Sequence, residues 1–134
     1  MTFNKLRQDI YAVFASNVWK NTGIKVFPEN YQGDVGSALP YLRLTIIPGA
    51  ASLDSFSLSK RLSGRMVLSI FVDNTAGDKD LYSIADLLDT YFQGKTLTNG
   101  TQFGPSTVIP LGIDKVNSSI YRGDYSINFN SYGE

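Results

Sequence analysis

Apolar residues recur at helical spacing in two stretches of the chain, which predicts two amphipathic helices. The first begins near the N-terminus, where Thr2 can cap the helix, and ends near Asn17. Its apolar stripe is Phe3, Leu6, Ile10, Val13 and Phe14. The second begins at Asp78 or Asp80 and ends before Gly94. Its apolar stripe is Leu81, Ile84, Ala85, Leu88, Tyr91 and Phe92.

Other stretches alternate apolar and polar residues, which is typical of strands with one buried face. A short strand is predicted at Ile24 to Phe27, closed by Pro28. Another is predicted at Pro40 to Ile47, with Leu42, Leu44 and Ile46 on one face and Pro48-Gly49 ending it. A long strand is predicted at Ser57 to Asp73, and its core face is formed by Leu58, Leu62, Met66, Leu68, Ile70 and Val72.

The last predicted strand runs from about Val116 to Phe129, and Gly123 within it indicates a bulge. Its core face is formed by Tyr121, Tyr125, Ile127 and Phe129. The stretch from Lys95 to Pro110 is rich in Thr, Gly and Pro and is predicted to be irregular, apart from a short strand at Thr107 to Ile109. Glu29 to Leu39 is predicted to be a loop.

These elements predict one α+β domain over residues 1–134. A mostly antiparallel sheet, with both helices packed on one face, buries both apolar stripes. The second and third strands form a hairpin, with Ala50 to Phe56 as a loop or as its tip. Seventeen extended residues span about 55 Å, which exceeds what a domain of this size needs. The outer half of the hairpin is therefore expected to project.

Composition narrows the possible functions. The 12 basic and 12 acidic residues cancel, whereas dedicated nucleic-acid binders carry an excess of Lys and Arg. The chain has no cysteine and no histidine, which removes disulfides, thiol nucleophiles, histidine bases and the usual zinc sites. No cofactor motif and no pair of catalytic carboxylates stands out, so the chain is predicted not to be an enzyme.

Targeting signals are not evident in the sequence. No apolar run approaches the ~20 residues of a membrane span. The N-terminus opens directly into the amphipathic pattern and has no signal-peptide core. We therefore expect synthesis and assembly in a cytoplasm.

Three carboxylates, Asp73, Asp78 and Asp80, cluster around the turn before the second helix. Hard divalent cations prefer oxygen ligands, so such a cluster can hold one. Capping of the helix N-terminus explains the same residues without a metal. The sequence leaves both interpretations open, and no metal ligand is assigned.

Charged residues of opposite sign fall on different predicted elements. Lys60, Arg61 and Arg65 lie on the long strand, with Arg43 on its neighbour. This group either keeps a sheet edge soluble or forms a docking surface for an acidic protein or for passing DNA. Asp86 and Asp89 are predicted on the outer face of the second helix. A head-to-tail contact between unlike surfaces closes into a ring if the rotation allows.

In the order and size of these elements, the chain resembles the tail terminator (tail completion) proteins of long-tailed bacteriophages. The resemblance begins with the N-terminal amphipathic helix and covers nearly the whole chain. It continues through Pro40-Tyr41-Leu42-Arg43-Leu44, the long strand with Gly64-Arg65, the helix with Ile84-Ala85-Asp86-Leu87-Leu88, and the closing strand Tyr125 to Phe129.

This resemblance implies a structural virion protein at the head-proximal end of the tail. Such proteins form hexameric rings that stop polymerisation of the tail tube and present the surface that joins the head connector. The implied partners are other copies of the chain, the tail tube protein and the connector, while DNA passes through the ring without being read. Residues expected at the contact with a neighbouring subunit or the tube are Arg43, Phe56, Leu58, Lys60, Arg61, Arg65, Asp86 and Asp89.

Two alternatives remain open at the level of sequence. One is another neck or joining component of a phage particle, and the other is a small ligand-binding α+β domain whose Tyr residues line a pocket. Oligomeric state separates a ring component from the ligand-binding domain, because the ligand-binding domain can act as a monomer and a ring component cannot. An enzyme would require a buried carboxylate with a strongly shifted pKa in a cleft.

Overall fold

The computed structural model describes residues 3–28, 40–53, 60–75, 77–98, 100–113 and 119–131. Its elements in chain order are α1 (Phe3–Ala15), α2 (Asn17–Lys20), β1 (Lys25–Pro28), β2 (Tyr41–Leu53), β3 (Lys60–Asp73), α3 (Gly77–Phe92), β4 (Thr101–Ile113) and β5 (Ile120–Ser131). The strands form one sheet in the order β1-β2-β3-β5-β4. β1 is parallel to β2 and the other pairs are antiparallel, which confirms the predicted α+β class.

Both long helices pack on one face of the sheet. Phe92 of α3 contacts Phe14 of α1 at 5.5 Å and Phe103 of β4 at 5.1 Å between ring centroids. The predicted apolar stripes supply much of this core. On the sheet, the buried face carries Leu42, Leu44, Leu62, Met66, Leu68, Ile70, Val72, Tyr125, Ile127 and Phe129.

A short second helix follows α1, where the sequence pattern indicates only a turn. The Ser16 hydroxyl caps α2 by accepting a hydrogen bond from the Trp19 backbone N–H at 3.3 Å. Trp19 is 2% exposed, and its Nε1 donates to the Ile24 carbonyl at 3.1 Å. The buried Trp19 ring anchors this segment against the core and stabilises it as a short helix. The predicted cap, Thr2, lies outside the described residues.

The prediction that Pro48-Gly49 ends the second strand is wrong, because β2 continues to Leu53. The register shifts between Pro48 and Ala51, so a bulge absorbs the proline. A Cβ on Gly64 would collide with the Ile47 carbonyl oxygen, and one on Gly49 with the Ser63 carbonyl oxygen. Glycine at both positions lets the two strands approach closely at the bulge.

The hairpin of β2 and β3 is paired as far as Leu53 and Lys60. The last pair between β3 and β5 joins Leu62 to Ser131, so the described hairpin extends beyond β5 by two residue pairs. Residues 54–59, which include the predicted contacts Phe56 and Leu58, lie outside the described residues, as does the predicted loop at 29–39.

The strand predicted at Thr107 to Ile109 is confirmed, but the prediction that the rest of the stretch up to Pro110 is irregular is wrong from Thr101 onward, since β4 is a strand of 13 residues. It contains Pro105 and Pro110, and its register shifts at both, between Phe103 and Ser106 and between Pro110 and Gly112. Proline is compatible with a strand at a sheet edge or a bulge, and β4 is the last strand of the sheet order.

A bulge within β5 at Gly123 is not observed, because its pairing with β3 continues without a shift. The irregularity lies in the neighbouring strand β4 instead. A Cβ on Gly123 would lie 2.7 Å and 2.9 Å from the two Cδ atoms of Leu81. Gly123 therefore allows α3 to pack closely on the sheet. Residues 114–118, including the predicted strand start at Val116, are outside the described residues.

Candidate interaction surface on the open face of the sheet

The sheet has a second face, which points away from α1 and α3. Period-two alternation places side chains from all five strands on it, and we call this surface the open face. Its registers put Phe71 between Tyr41 and Arg122, and Ser69 between Arg43 and Asp124. Charged and aromatic side chains from β2, β3 and β5 thus lie in adjacent rows.

The centre of the open face is a stack of aromatic rings. Tyr41 and Phe71 lie parallel, with ring centroids 4.7 Å apart and an interplanar angle of 13°. Phe27 meets Tyr41 edge to face at 5.8 Å. Although they lie opposite the main core, Tyr41 and Phe71 are only 5% and 7% exposed. Such ring pairs add stability beyond the burial of their area.

Two arginines lie over the same Phe71 ring. The guanidinium carbon of Arg122 is 5.2 Å from the ring centroid and that of Arg43 is 6.0 Å away. These distances are within the range of cation–π attraction. The Nε atoms of both arginines are buried, and no hydrogen-bond partner for either occurs in the part of the chain that the structure describes.

The carboxylate on this face, Asp124, is already engaged. It accepts a hydrogen bond from the Ser69 hydroxyl at 2.9 Å. An open groove of about 320 Å³ lies beside it on the β4 side, with Arg65, Thr107 and Ile109 in its wall. Arg65 itself is exposed. Among the described side chains, the open face therefore combines Arg43, Arg65 and Arg122 with the carboxylate of Asp124 and an apolar rim.

The structure brings together only some of the residues expected at a contact. Arg43 and Arg65 both lie on the open face, two cross-strand rows apart. Lys60 and Arg61 belong to β3, where only their backbone is described. Asp86 is exposed on α3, as predicted.

The predicted outward position of Asp89 is wrong. Its Oδ1 accepts hydrogen bonds of 2.6 Å from the Tyr125 hydroxyl and from the Ser106 hydroxyl. Burial and the bond to Asp89 raise the pKa of Tyr125 above its ordinary value. Asp89 thus joins α3 to the sheet, because it lies on the flank of the apolar stripe.

Arg122 is the open-face residue that sequence reasoning missed. Gly123 was predicted to form a bulge, although the alternation of β5 already indicated on which face of the sheet the side chains next to it lie. Since Tyr121 and Tyr125 point to the core, Arg122 and Asp124 must point to the other face. The cross-strand position of Phe71 could not be derived without the register.

The carboxylates near the turn before α3 do not form a metal centre among the described residues, in which no group of three potential ligands lies together. Asp73 instead accepts hydrogen bonds of 2.9 Å from the Thr75 backbone N–H and hydroxyl. These bonds lower the pKa of Asp73 below its ordinary value. Asp73 therefore stabilises the turn.

A cavity of about 500 Å³ lies between the N-terminal helices and β1. Tyr11, Phe14 and Trp19 line one side of it, and Val26 and Phe27 the other. The wall is mostly apolar, as in many small-molecule sites.

In the ranges that the structure describes, no helix has the length and apolar character needed to cross a membrane.

No protein-family model matches the chain, and no curated protein matches its sequence. Two solved structures have a similar fold over nearly the whole chain. The first, whose name states no function, has a TM-score of 0.68 at 15% identity, and the match covers 98% of this chain and 96% of that one. The second comes from the virion of a native gene transfer agent (GTA) particle. Its TM-score is 0.65 at 16% identity, with 96% and 95% covered. At such identities the likeness establishes a shared fold.

Proposed function

We propose that the chain is a non-enzymatic structural protein of a phage-like virion. The observation that carries this proposal is the similarity to a chain of a gene transfer agent virion, which spans 96% of this chain at a TM-score of 0.65. The resemblance in order of elements to tail terminators, found from sequence alone, supports the same class independently.

Within this class, we propose the role of tail terminator. Copies of the chain form a ring, of six subunits as the family resemblance implies, on the head-proximal end of the tail tube. The ring ends tube polymerisation and presents the joining surface for the head connector, while DNA passes through its lumen. A sheet with one helix-covered face and one open face supports this role, because a ring subunit needs a rigid body with two different contact surfaces.

A capping assay tests the terminator role. The tube protein of the same particle is polymerised with and without this chain, and tube lengths are measured by electron microscopy. A terminator bound at one end shortens the tubes and adds a ring there. Tubes that grow to the same length, with no added density at either end, would contradict the role. Binding to the isolated connector alone would favour a different neck component.

The hairpin of β2 and β3 is proposed to contact the neighbouring subunit or the tube. Arg61→Ala with Arg65→Ala should then weaken ring formation or capping while the fold remains intact by circular dichroism. Arg7→Ala is the matched control, because Arg7 is an exposed arginine on α1. Unchanged assembly of the double variant would remove the hairpin from the contact.

The cavity beside β1 favours a second candidate function, a small ligand-binding domain. Its aromatic wall of Tyr11, Phe14 and Trp19 suits a flat apolar molecule. A chain that stays monomeric at every concentration and is not recruited by tubes would favour this function over the terminator.

A further inference from the structure

Two arginines on the open face, Arg43 and Arg122, are half-buried, so their guanidinium groups remain partly accessible to another molecule. The Nε atoms of Arg43 and Arg122 are buried, and the described residues offer neither of them a hydrogen-bond acceptor. Buried donors without a partner are rare in folded proteins because desolvation is then uncompensated. A guanidinium presents a planar fork of donors that matches a carboxylate. A carboxylate that binds the accessible N–H groups of these guanidiniums would suit this surface.

An exposed acidic ridge runs along α3. Asp78, Tyr82 and Asp86 follow one another at intervals of four residues, so they lie on one side of the helix. All three are exposed, and Tyr82 retains 44% of its surface. The exposed Lys79 lies on the same side of the helix, next to Asp86. We call Asp78, Tyr82 and Asp86 the acidic ridge. From the helical rise, its two carboxylates are about 12 Å apart along the axis.

The two guanidinium groups are close enough together for one partner surface to cover both. Their guanidinium carbons lie 5.2 Å and 6.0 Å from the same Phe71 centroid, so they cannot be further apart than these two distances combined, about 11 Å. In both surfaces an aromatic ring lies between two like charges. Tyr82 would then lie against the guanidinium groups, which is a favourable cation–π arrangement.

The two surfaces lie on different sides of the sheet. α3 packs on the core face through Leu81, Leu88 and Phe92, and the exposed ridge lies along one flank of the helix. Arg43 and Arg122 lie on the other face of the same sheet. One copy therefore cannot bring its own ridge to its own arginines, and a contact between them must pass from molecule to molecule.

We propose that the open face of one copy binds the acidic ridge of a second copy, in a head-to-tail contact. The contact specifies which surfaces join the copies in the proposed function, and it rests on the proposal that the chain assembles with itself. It is heterologous, and such contacts close into rings when the rotation allows. A second copy suits the surface better than DNA because the acidic and basic residues of the chain balance at 12 each, whereas DNA binders carry an excess of cations.

Neutral variants of each surface test the contact. The face variant is Arg43→Gln with Arg122→Gln, and the ridge variant is Asp78→Asn with Asp86→Asn. Light scattering and sedimentation velocity should show that each variant alone needs at least about 30-fold more protein to assemble, since truncating one side of a buried charge pair costs that much or more. A mixture of the two retains one intact contact and should form 1:1 dimers that grow no further.

Two matched controls separate the contact from effects on folding. Arg7→Gln removes an arginine that also lies over a ring, that of Tyr11 at 4.9 Å, but is on α1. Asp80→Asn removes an exposed acid from the first turn of α3, outside the ridge. Both should assemble like the wild type, and all variants should keep the wild-type circular dichroism spectrum.

The outcomes distinguish this contact from the proposed function. Rings that persist in both double variants would overturn the contact and leave the terminator role standing. A wild-type chain that stays monomeric at millimolar concentration would overturn the contact, while the capping assay decides the terminator role separately. Loss of binding to a duplex DNA probe in the face variant, with self-assembly unchanged, would also overturn it and assign the arginines to DNA.

Discussion

The Tyr125 hydroxyl donates a hydrogen bond of 2.6 Å to the Asp89 carboxylate, which joins the centre of β5 to α3. Ser106 of the edge strand β4 donates to the same oxygen. One carboxylate thus links the helix to two strands. Because Tyr125 is fully buried, its hydroxyl depends on Asp89 as a partner.

Tyr125→Phe should destabilise the fold by about 1.5–3 kcal/mol, the usual value of a hydrogen bond to a charged group. The ring would still fill its place in the core, so the effect isolates the hydroxyl. Urea unfolding followed by circular dichroism measures the change. Tyr82→Phe is the control, because Tyr82 is exposed on α3, the helix that carries Asp89. Equal midpoints for the two variants would contradict a structural role for the bond.

The same pair predicts a loss of stability in alkaline solution. Burial and then the Asp89 hydrogen bond raise the pKa of Tyr125 above its ordinary value of 10.0. Above pH 10 the unfolded chain releases this proton while the folded chain keeps it, so the free energy of unfolding falls as pH rises. It should fall by up to about 1.4 kcal/mol per pH unit more in the wild type than in Tyr125→Phe. Denaturant titrations between pH 9 and 11 compare the two, and parallel profiles would exclude the shift.

The position of Asp89 shows where sequence reasoning reaches its limit. Helical spacing correctly identified the core positions Leu81, Leu88 and Phe92, because periodicity reports the centre of an apolar stripe. A residue on its flank is directed inward or outward by what lies opposite. The partner, Tyr125, is 36 residues away, so only the register of the sheet reveals the contact.

Gly123→Ala should destabilise the protein by about 1–3 kcal/mol, the usual cost of overpacking a core. The new methyl group would press on the Leu81 side chain and, at 3.1 Å, on the Ile109 carbonyl. Adding Leu81→Val should recover part of this loss, because the smaller side chain makes room. Gly104→Ala is the control, since its nearest neighbour would be 3.9 Å away. Strictly additive effects at Gly123 and Leu81 would argue against direct packing.

A buried polar cluster anchors α1 to the start of β4. Asp9 is 4% exposed and accepts a hydrogen bond of 2.8 Å from the Thr101 hydroxyl, which in turn accepts one of 2.9 Å from the Ser131 hydroxyl. Thr101→Val leaves both neighbours with one partner fewer and should cost about 1–3 kcal/mol. Thermal unfolding measures this, with exposed Thr107→Val as the control. An unchanged melting temperature would show that the cluster adds nothing.

The strands were less predictable than the helices, for a physical reason. The alternation of β3 and β5 was clear because both lie inside the sheet, with one face under the helices. β4 was missed because Pro105, Pro110 and two bulges interrupt its pattern, and an edge strand tolerates them. The arginine–aromatic stack could not be predicted either, because it depends on Tyr41, Phe71 and Arg122 being cross-strand neighbours.

Measuring the assembly state of the chain tests directly whether it is a ring-forming structural protein. Size-exclusion chromatography with light scattering is run over a range of concentrations, and the largest species is imaged by negative-stain electron microscopy. We expect a closed ring of about six subunits whose central hole is wide enough for duplex DNA, formed alone or on added tail tubes. A strict monomer at every concentration, which tail tubes also fail to recruit, would contradict this expectation.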